Sequence, residues 1–291
     1  MSVRVDGQGL HGGAPSSVVF TRGTGPVLLR QRGVEAPVCD LEVAASALST
    51  KVTCGALSVA TCEHLFSALA GLGVYEGVVV EVVGAEVPLL DGGARAFVGA
   101  LRALGVSVGA GRAPGAVPRA SRIEVVEPGA VAVGESRYAF ACGEGVGVEV
   151  SVDFGDPRIA PRAVWEGDAE DFLTRIAPAR TFGFERDVAL LAARGLASHV
   201  TPESVVVYGE GRVLAAGPPP LADEPARHKL LDLIGDMYLY GGPPRGRVSV
   251  SRPGHAATHE AMRIAVSRGL VRRVVERSTR GDSSAPGVTG V

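Results

Sequence analysis

Along Asp223–Gly242 (DEPARHKLLDLIGDMYLYGG) the apolar residues Leu230, Leu233, Ile234 and Met237 recur at i, i+3, i+4 and i+7. At about 100° per residue these four share one side of a helix. Pro225 near the start and the Gly241-Gly242 pair at the end bracket about four turns. On the opposite side His228, Asp232 and Asp236 recur every four residues, with Lys229 beside them. A His and an Asp at i and i+4 can hold one metal ion from a single helix face. The same residues also suit a helix whose first turns carry ordinary exposed charge, and the pattern leaves both readings open.

The rest of the chain alternates between the two periodicities. Val3–Val5, Ser17–Thr21 and Val27–Arg30 read as short strands broken by Gly and Pro. Gly7–Gly13 (GQGLHGG) is Gly-rich, but no helix pattern follows it. A tight hairpin turn with His11 at its tip therefore fits better than a phosphate cradle. Thr61–Gly73 predicts a helix with Leu65, Ala68, Leu69 and Leu72 on one face and Thr61 as its N-cap. Glu63-His64 then sits in the first turn, either as dipole compensation or as a general base beside a metal ligand. Gly77–Val83 predicts a strand, Glu86–Gly93 a turn and Ala94–Leu104 an amphipathic helix.

Gly109–Ala120 has no periodicity and is rich in Gly, Pro and Ala, which marks a linker at 111–120 between domains at 1–110 and 121–279. Beyond it, Ser121–Glu127, Ala130–Val133, Arg137–Cys142 and Val146–Phe154 predict strands, and Asp168–Ile176 and Glu185–Gly195 predict helices. Ser204–Tyr208 and Arg212–Ala215 predict a hairpin, followed by the Asp223 helix, a strand at Gly246–Arg252 and a helix from Ala256. Each half runs from antiparallel strands into helices, an α+β pattern of two similar layered domains. The tail at 280–291 has the composition of a disordered segment. His255 stands at a strand–helix junction; His199 and His259 stand in no pattern and receive no role.

Composition narrows the function classes. The 291 residues are 46% hydrophobic with a net charge of −2, which disfavours a nucleic-acid binder held by a general electrostatic footprint. No apolar run reaches the roughly 18 residues of a membrane span, and the N-terminus lacks an apolar signal core. Cys39, Cys54, Cys62 and Cys142 have no CxxC spacing, the pattern of reduced thiols in a cytoplasmic protein. The basic residues are almost all Arg; only Lys51 and Lys229 are lysines, and there is no Asn. A Lys retained in the polar arc of the Asp223 helix is thus marked out for a compact ammonium donor.

Taken together, GQGLHGG, TCEHLFSALAGLGV, EVPLLDGGARAFV, ARTFGFERDVALLAARGLA, DEPARHKLLDLIGD and PGHA, spread from Gly7 to Ala256, resemble the zinc-dependent UDP-3-O-acyl-N-acetylglucosamine deacetylases of lipid A synthesis. The resemblance implies two α+β sandwiches with helices packed inwards and a metal site between them. It implies Zn2+, or Fe2+ in its place, held by His64, His228 and Asp232. Glu63 matches the general base, His255 the imidazolium that steadies the oxyanion and protonates the leaving amine, and Asp236 the carboxylate that orients His255. Lys229 and Thr181 match groups that polarise the acetyl carbonyl. Phe182, Phe184, Val188, Leu191 and Leu196 are candidates to line an acyl-chain passage, with core packing as their alternative, and Arg252 supplies a cation for the diphosphate. The implied reaction is the committed step of lipid A synthesis for the Gram-negative outer membrane. It releases acetate from an acylated UDP-sugar, in a cytoplasmic monomer without a membrane span that touches the membrane surface only transiently.

The departures from the family pattern lie around the substrate. They are Tyr75-Glu76 for Asp-Asn, Ser204 for Asn, Arg252-Pro253 for Lys-Ser, Thr258-His259 for an Asn pair and Asp156 for His; Ser49-Thr50-Lys51 is only partly similar. They leave the chemical groups intact. They also leave room for a second reading, a divergent paralogue that binds zinc but acts on another N-acetylated sugar or serves no catalytic role.

Overall fold

The computed structural model describes residues 1–44, 48–106, 123–187, 201–202 and 204–274. In chain order the first half has strands β1 (Ser2–Gln8), β2 (Pro15–Pro26), β3 (Leu28–Gln31) and β4 (Val34–Pro37). A small set follows, β5 (Glu42–Val43), β6 (Lys51–Cys54) and β7 (Leu57–Ala60), and then helix α1 (Glu63–Gly71), strand β8 (Glu76–Val83) and helix α2 (Arg95–Ala103). The second half has β9 (Ile123–Val125), β10 (Gly129–Val133), β11 (Ser136–Ala141), β12 (Val146–Ser151) and β13 (Arg162–Trp165). One helical turn, α3 (Ala169–Asp171), widens into a π-type turn at Phe172–Ile176. Next come β14 (Thr181–Phe184), β15 (Val205–Gly209), β16 (Arg212–Leu214), helix α4 (Glu224–Tyr238), β17 (Gly246–Ser251), helix α5 (His255–Ser267) and β18 (Val271–Arg273).

The two halves repeat one topology. The first sheet has the order β1-β2-β8-β3-β4 and the second β10-β11-β17-β12-β13. In each, one central pair is parallel (β3 with β8, β12 with β17) and the other pairs are antiparallel. The small sheets β5–β7 and β14–β16 are inserted at equivalent places, just before α1 and α4. Alternation sets the inner faces: Val78, Val80 and Val82 of β8 and Val248 and Val250 of β17 are buried. Those faces and the four main helices share one continuous apolar core. This is the two-layered α+β architecture that the sequence implies.

Helix α1 packs on α4 across the middle of the molecule. The approach is close because position 235 is glycine: a Cβ there would stand 1.9 Å from the carbonyl oxygen of Glu63. A side chain of any size would push the helices apart. Buried between two helix layers, α4 is enclosed all round, and only Lys229 of its 15 residues escapes full burial. Its polar arc therefore faces α1 and α5 and not solvent, so the reading of ordinary exposed charge is excluded.

Several local expectations are corrected. Thr61 is not an N-cap: its φ is +60° and Cys62 takes the cap position, with no side-chain capping bond. The Asp168 helix is one turn followed by the wide turn, with Asp168 capping it by accepting from the Asp171 N–H. Strands β4–β7, β13, β14 and β18 were not expected, being only two to four residues long. Residues 185–187 are helical; the remainder of the Glu185–Gly195 prediction, the linker at 111–120 and the tail at 280–291 lie outside the described residues. All four cysteines are free thiols.

Candidate metal centre and its acid–base partners

His64 comes from the first turn of α1, and His228 and Asp232 from successive turns of α4. One ligand atom from each lies within 4.8 Å of the others, and all three residues are buried. Oδ1 of Asp232 is 3.3 Å from Nε2 of His64 and 3.6 Å from Nε2 of His228. The rings of His64 and His228 meet edge to face, 5.0 Å apart.

The donor set suits a cation. Nδ1 of His228 is 3.1 Å from the carbonyl oxygen of Ala179, which can only accept, so the ring proton sits on Nδ1 and Nε2 offers a lone pair. Burial above all pushes the His228 pKa down to about 4, so the ring is neutral. Burial works to raise the Asp232 carboxyl, but Lys229 foremost, then His228, hold it well below the usual range. Oδ1 of Asp232 is buried with no hydrogen-bond partner. A buried anionic oxygen facing the lone pair of His228 is unfavourable unless a positive ion lies between them. Two imidazoles and one carboxylate form a set that leaves coordination positions open, as catalytic sites of this kind do.

The outer contacts are built with equal care. Lys229 Nζ donates to Oδ2 of Asp232 at 2.6 Å. The peptide whose carbonyl holds His228 donates its other end, the Arg180 N–H, to Glu224 Oε1 at 3.1 Å. Glu224 is itself clamped by the Arg180 guanidinium.

A second group lies beside the triad. Nδ1 of His255 is 2.9 Å from Oδ2 of Asp236, while its Nε2 is 3.8 Å from Asp232 and 3.9 Å from Oε1 of Glu63. Burial pulls the His255 pKa down, but Asp236, then Glu63, raise it to about 9, so the ring is an imidazolium at neutral pH. Burial, the largest cause, raises the Glu63 carboxyl, with His255 and His64 acting against it. The site thus pairs a poised carboxylate with a held imidazolium across a shared space.

The other expected residues have definite places. The Thr181 hydroxyl donates to the Gly92 carbonyl at 2.8 Å. Phe182 meets the His228 ring edge-on at 5.9 Å and joins Phe154, Phe184 and Tyr208 in an aromatic cluster. Arg252, at φ +53°, pairs with Glu135 and Asp153 at the surface. Val188, Leu191, Leu196 and His199 lie outside the described residues. In the Gly7–Gly13 turn the N–H groups of His11 and Gly12 are taken by the Glu86 carboxylate, which fills the place an anion would need.

The departures sit mostly away from the triad. Tyr75 stacks on Tyr238 near the far end of α4, with ring centroids 5.0 Å apart. Asp156 is gripped by the Arg158 guanidinium, which also lies over the Tyr208 ring. His259 requires a correction. It is fully buried and 2.8 Å from the Thr50 hydroxyl, which itself donates to Asp236. In the sequence Thr50 and His259 enter only as departures from the family pattern, and neither is given a role. The available signal was the i, i+4 spacing of His255 and His259 on one helix.

Comparison with known proteins gives one answer. Residues 1–266 match the family model described as UDP-3-O-acyl N-acetylglycosamine deacetylase. A UDP-3-O-acyl-N-acetylglucosamine deacetylase of Anaeromyxobacter dehalogenans is 33% identical, over 98% of this chain and 91% of its own length. Proteins of the same name from Brucella melitensis and Shewanella piezotolerans are 33% and 31% identical, over 94% and 97% of this chain and 96% and 92% of theirs.

Proposed function

The chain belongs to the UDP-3-O-acyl N-acetylglycosamine deacetylase family, and on that premise we propose that it hydrolyses the N-acetyl group of UDP-3-O-(3-hydroxyacyl)-N-acetylglucosamine. The products are acetate and the free amine, in the committed step of lipid A synthesis. The observation that carries this reading is the buried, partnerless Oδ1 of Asp232 between two imidazoles, with Glu63 and His255 alongside. We assign His64, His228 and Asp232 as ligands of Zn2+, a donor set that also accepts Fe2+. When bound, such an ion supplies Lewis-acid stabilisation of charge that develops on the acetyl oxygen.

The residues of the chain do the rest. Glu63, whose carboxyl burial raises against the pull of His255, takes a proton from the attacking water. His255, protonated and held by Asp236, faces the same space with Nε2; it steadies the developing oxyanion and then gives its proton to the departing nitrogen. Lys229 adds a fixed positive charge beside Asp232, and we assign it, with Thr181, to polarise the acetyl carbonyl. Phe182 and Phe184, with Val188, Leu191 and Leu196, are the proposed acyl-chain contacts, and Arg252 is the proposed diphosphate cation. Among the described residues no helix is long and apolar enough to cross a membrane. Four free thiols favour the cytoplasm, and we take the working unit to be a monomer.

The test is metal titration of the chelator-stripped protein. Deacetylation of this substrate recovers at one zinc per chain, and His64→Ala removes both the binding and the recovery. Full binding with no deacetylation rejects the proposed substrate.

A further inference from the structure

Thr50 touches both carboxylates of the acid–base pair. Its backbone N–H donates to Oε2 of Glu63 at 3.1 Å, and its hydroxyl donates to Oδ1 of Asp236 at 2.5 Å. Its carbonyl accepts from the Cys62 N–H at 3.2 Å, which fixes the segment to the start of α1. Thr50 is fully buried, and Asp236 is 1% exposed.

The donor directions are forced. An ionised Asp236 only accepts, so the Thr50 proton points at it. The hydroxyl oxygen is then an acceptor for Nε2 of His259, 2.8 Å away, and the His259 proton belongs on Nε2. Nδ1 of His259 faces the Tyr240 hydroxyl at 3.3 Å. With Oδ1 of Asp236 held by Thr50, Oδ2 is turned to Nδ1 of His255 at 2.9 Å. One residue between β5 and β6 thereby sets the orientation of the base Glu63 and, through Asp236, of the acid His255.

We propose that Thr50, backed by His259, is a positioning residue that fixes the mutual register of Glu63 and His255. Among the described residues it makes no hydrogen bond to the ligand triad; it bonds to the carboxylate of the base and to the partner of the acid. The inference rests on the deacetylation reading above, and its test is built so that the two fail separately.

The test uses the full-length, zinc-loaded chain as wild type, Thr50→Val, Thr50→Ser and His259→Gln. Acetate release from UDP-3-O-(3-hydroxyacyl)-N-acetylglucosamine gives kcat and KM, alongside zinc content and melting temperature. Thr50→Val keeps its backbone N–H but loses the hydroxyl; kcat falls about tenfold or more at unchanged KM and full zinc. Thr50→Ser restores most of kcat. His259→Gln, which loses its contact with the Thr50 hydroxyl and its 3.5 Å approach to Oδ1 of Asp236, falls between them. A folded, zinc-loaded Thr50→Val with wild-type kcat, or a folded Thr50→Ser no better than Thr50→Val, overturns the proposal. If Thr50→Val does not fold, His259→Gln decides: a lowered kcat at unchanged KM supports the proposal, and wild-type kcat overturns it.

The second readout needs no turnover. It is the downfield proton resonance of the His255 Nδ1–H, assigned by its loss in His255→Gln. This signal moves in Thr50→Val and returns in Thr50→Ser. An unmoved signal overturns the positioning role even if the wild type is inactive on this substrate, an outcome that would reject only the deacetylation reading.

Discussion

The buried imidazole of His255 donates from Nδ1 to Oδ2 of Asp236 across 2.9 Å. This contact decides the pH behaviour of the site. Glu63 must be ionised to act as a base, and burial holds its pKa above the ordinary 4.5, so activity rises with pH through a limb above that value. His255 must be protonated, and Asp236 foremost among its neighbours brings its pKa to about 9 against the pull of burial. Activity is therefore expected to fall as pH rises through about 9. Asp236→Asn should move the alkaline limb to lower pH and lower kcat by about a hundredfold or more. A full pH–rate profile of both proteins checks this; an unmoved alkaline limb contradicts the pairing.

Metal should also stabilise the fold. Three buried ligand groups converge, and Oδ1 of Asp232 has no other partner. Zinc at a hundred times its dissociation constant should add about 2.7 kcal/mol. Thermal melts with and without chelator measure the difference. Asp232→Asn should abolish most of it, while a melting temperature indifferent to chelator argues against the site.

Gly235 makes a structural prediction. Gly235→Ala would put a Cβ 1.9 Å from the Glu63 carbonyl oxygen, so α1 and α4 must separate. The expected cost is about 3 kcal/mol, together with weaker metal binding. Gly99, exposed on α2 with nothing within 4 Å of an added Cβ, is the control. Gly99→Ala should stabilise by about 0.5–1 kcal/mol. Denaturant unfolding and zinc content of both variants settle the comparison.

Glu224 reaches the metal centre through one peptide group, accepting from the Arg180 N–H while the adjoining Ala179 carbonyl accepts from His228. Glu224→Gln keeps the shape and removes the charge. Outer contacts of metal ligands are typically worth 10–100-fold in affinity, and one step further out about tenfold is expected. Competition with a chromophoric chelator reads the change directly. Unaltered zinc affinity in a folded variant would show that the peptide link does not transmit.

Much of this was legible in the chain itself. Pro225, the Gly241-Gly242 pair and the spacing of Leu230, Leu233, Ile234 and Met237 gave α4 its limits, because propensity and amphipathicity agree there. Glu63, His64, His228, Asp232, Asp236 and His255 come together as a set only through the family resemblance, because their local patterns leave other readings open. What periodicity could not give was the environment. The polar arc of α4 looks like a solvated face until α1 covers it, and that contact depends on a glycine at 235. Thr50 stayed hidden for a related reason: its hydroxyl partner Asp236 is 186 residues away. Thr61 misled, since a Thr before a helix suggests a cap, whereas its φ of +60° carries it into the left-handed region. Strands β5–β7 were missed because two to four residues hold too little alternation to register.

The most direct measurement is acetate release from UDP-3-O-(3-hydroxyacyl)-N-acetylglucosamine by the zinc-loaded protein, with Glu63→Ala beside it. The account predicts turnover by the wild type and a loss of about a hundredfold or more in the variant, with its zinc retained. A zinc-loaded wild type that releases no acetate under conditions where a relative does, or a Glu63→Ala protein as fast as wild type, would contradict it.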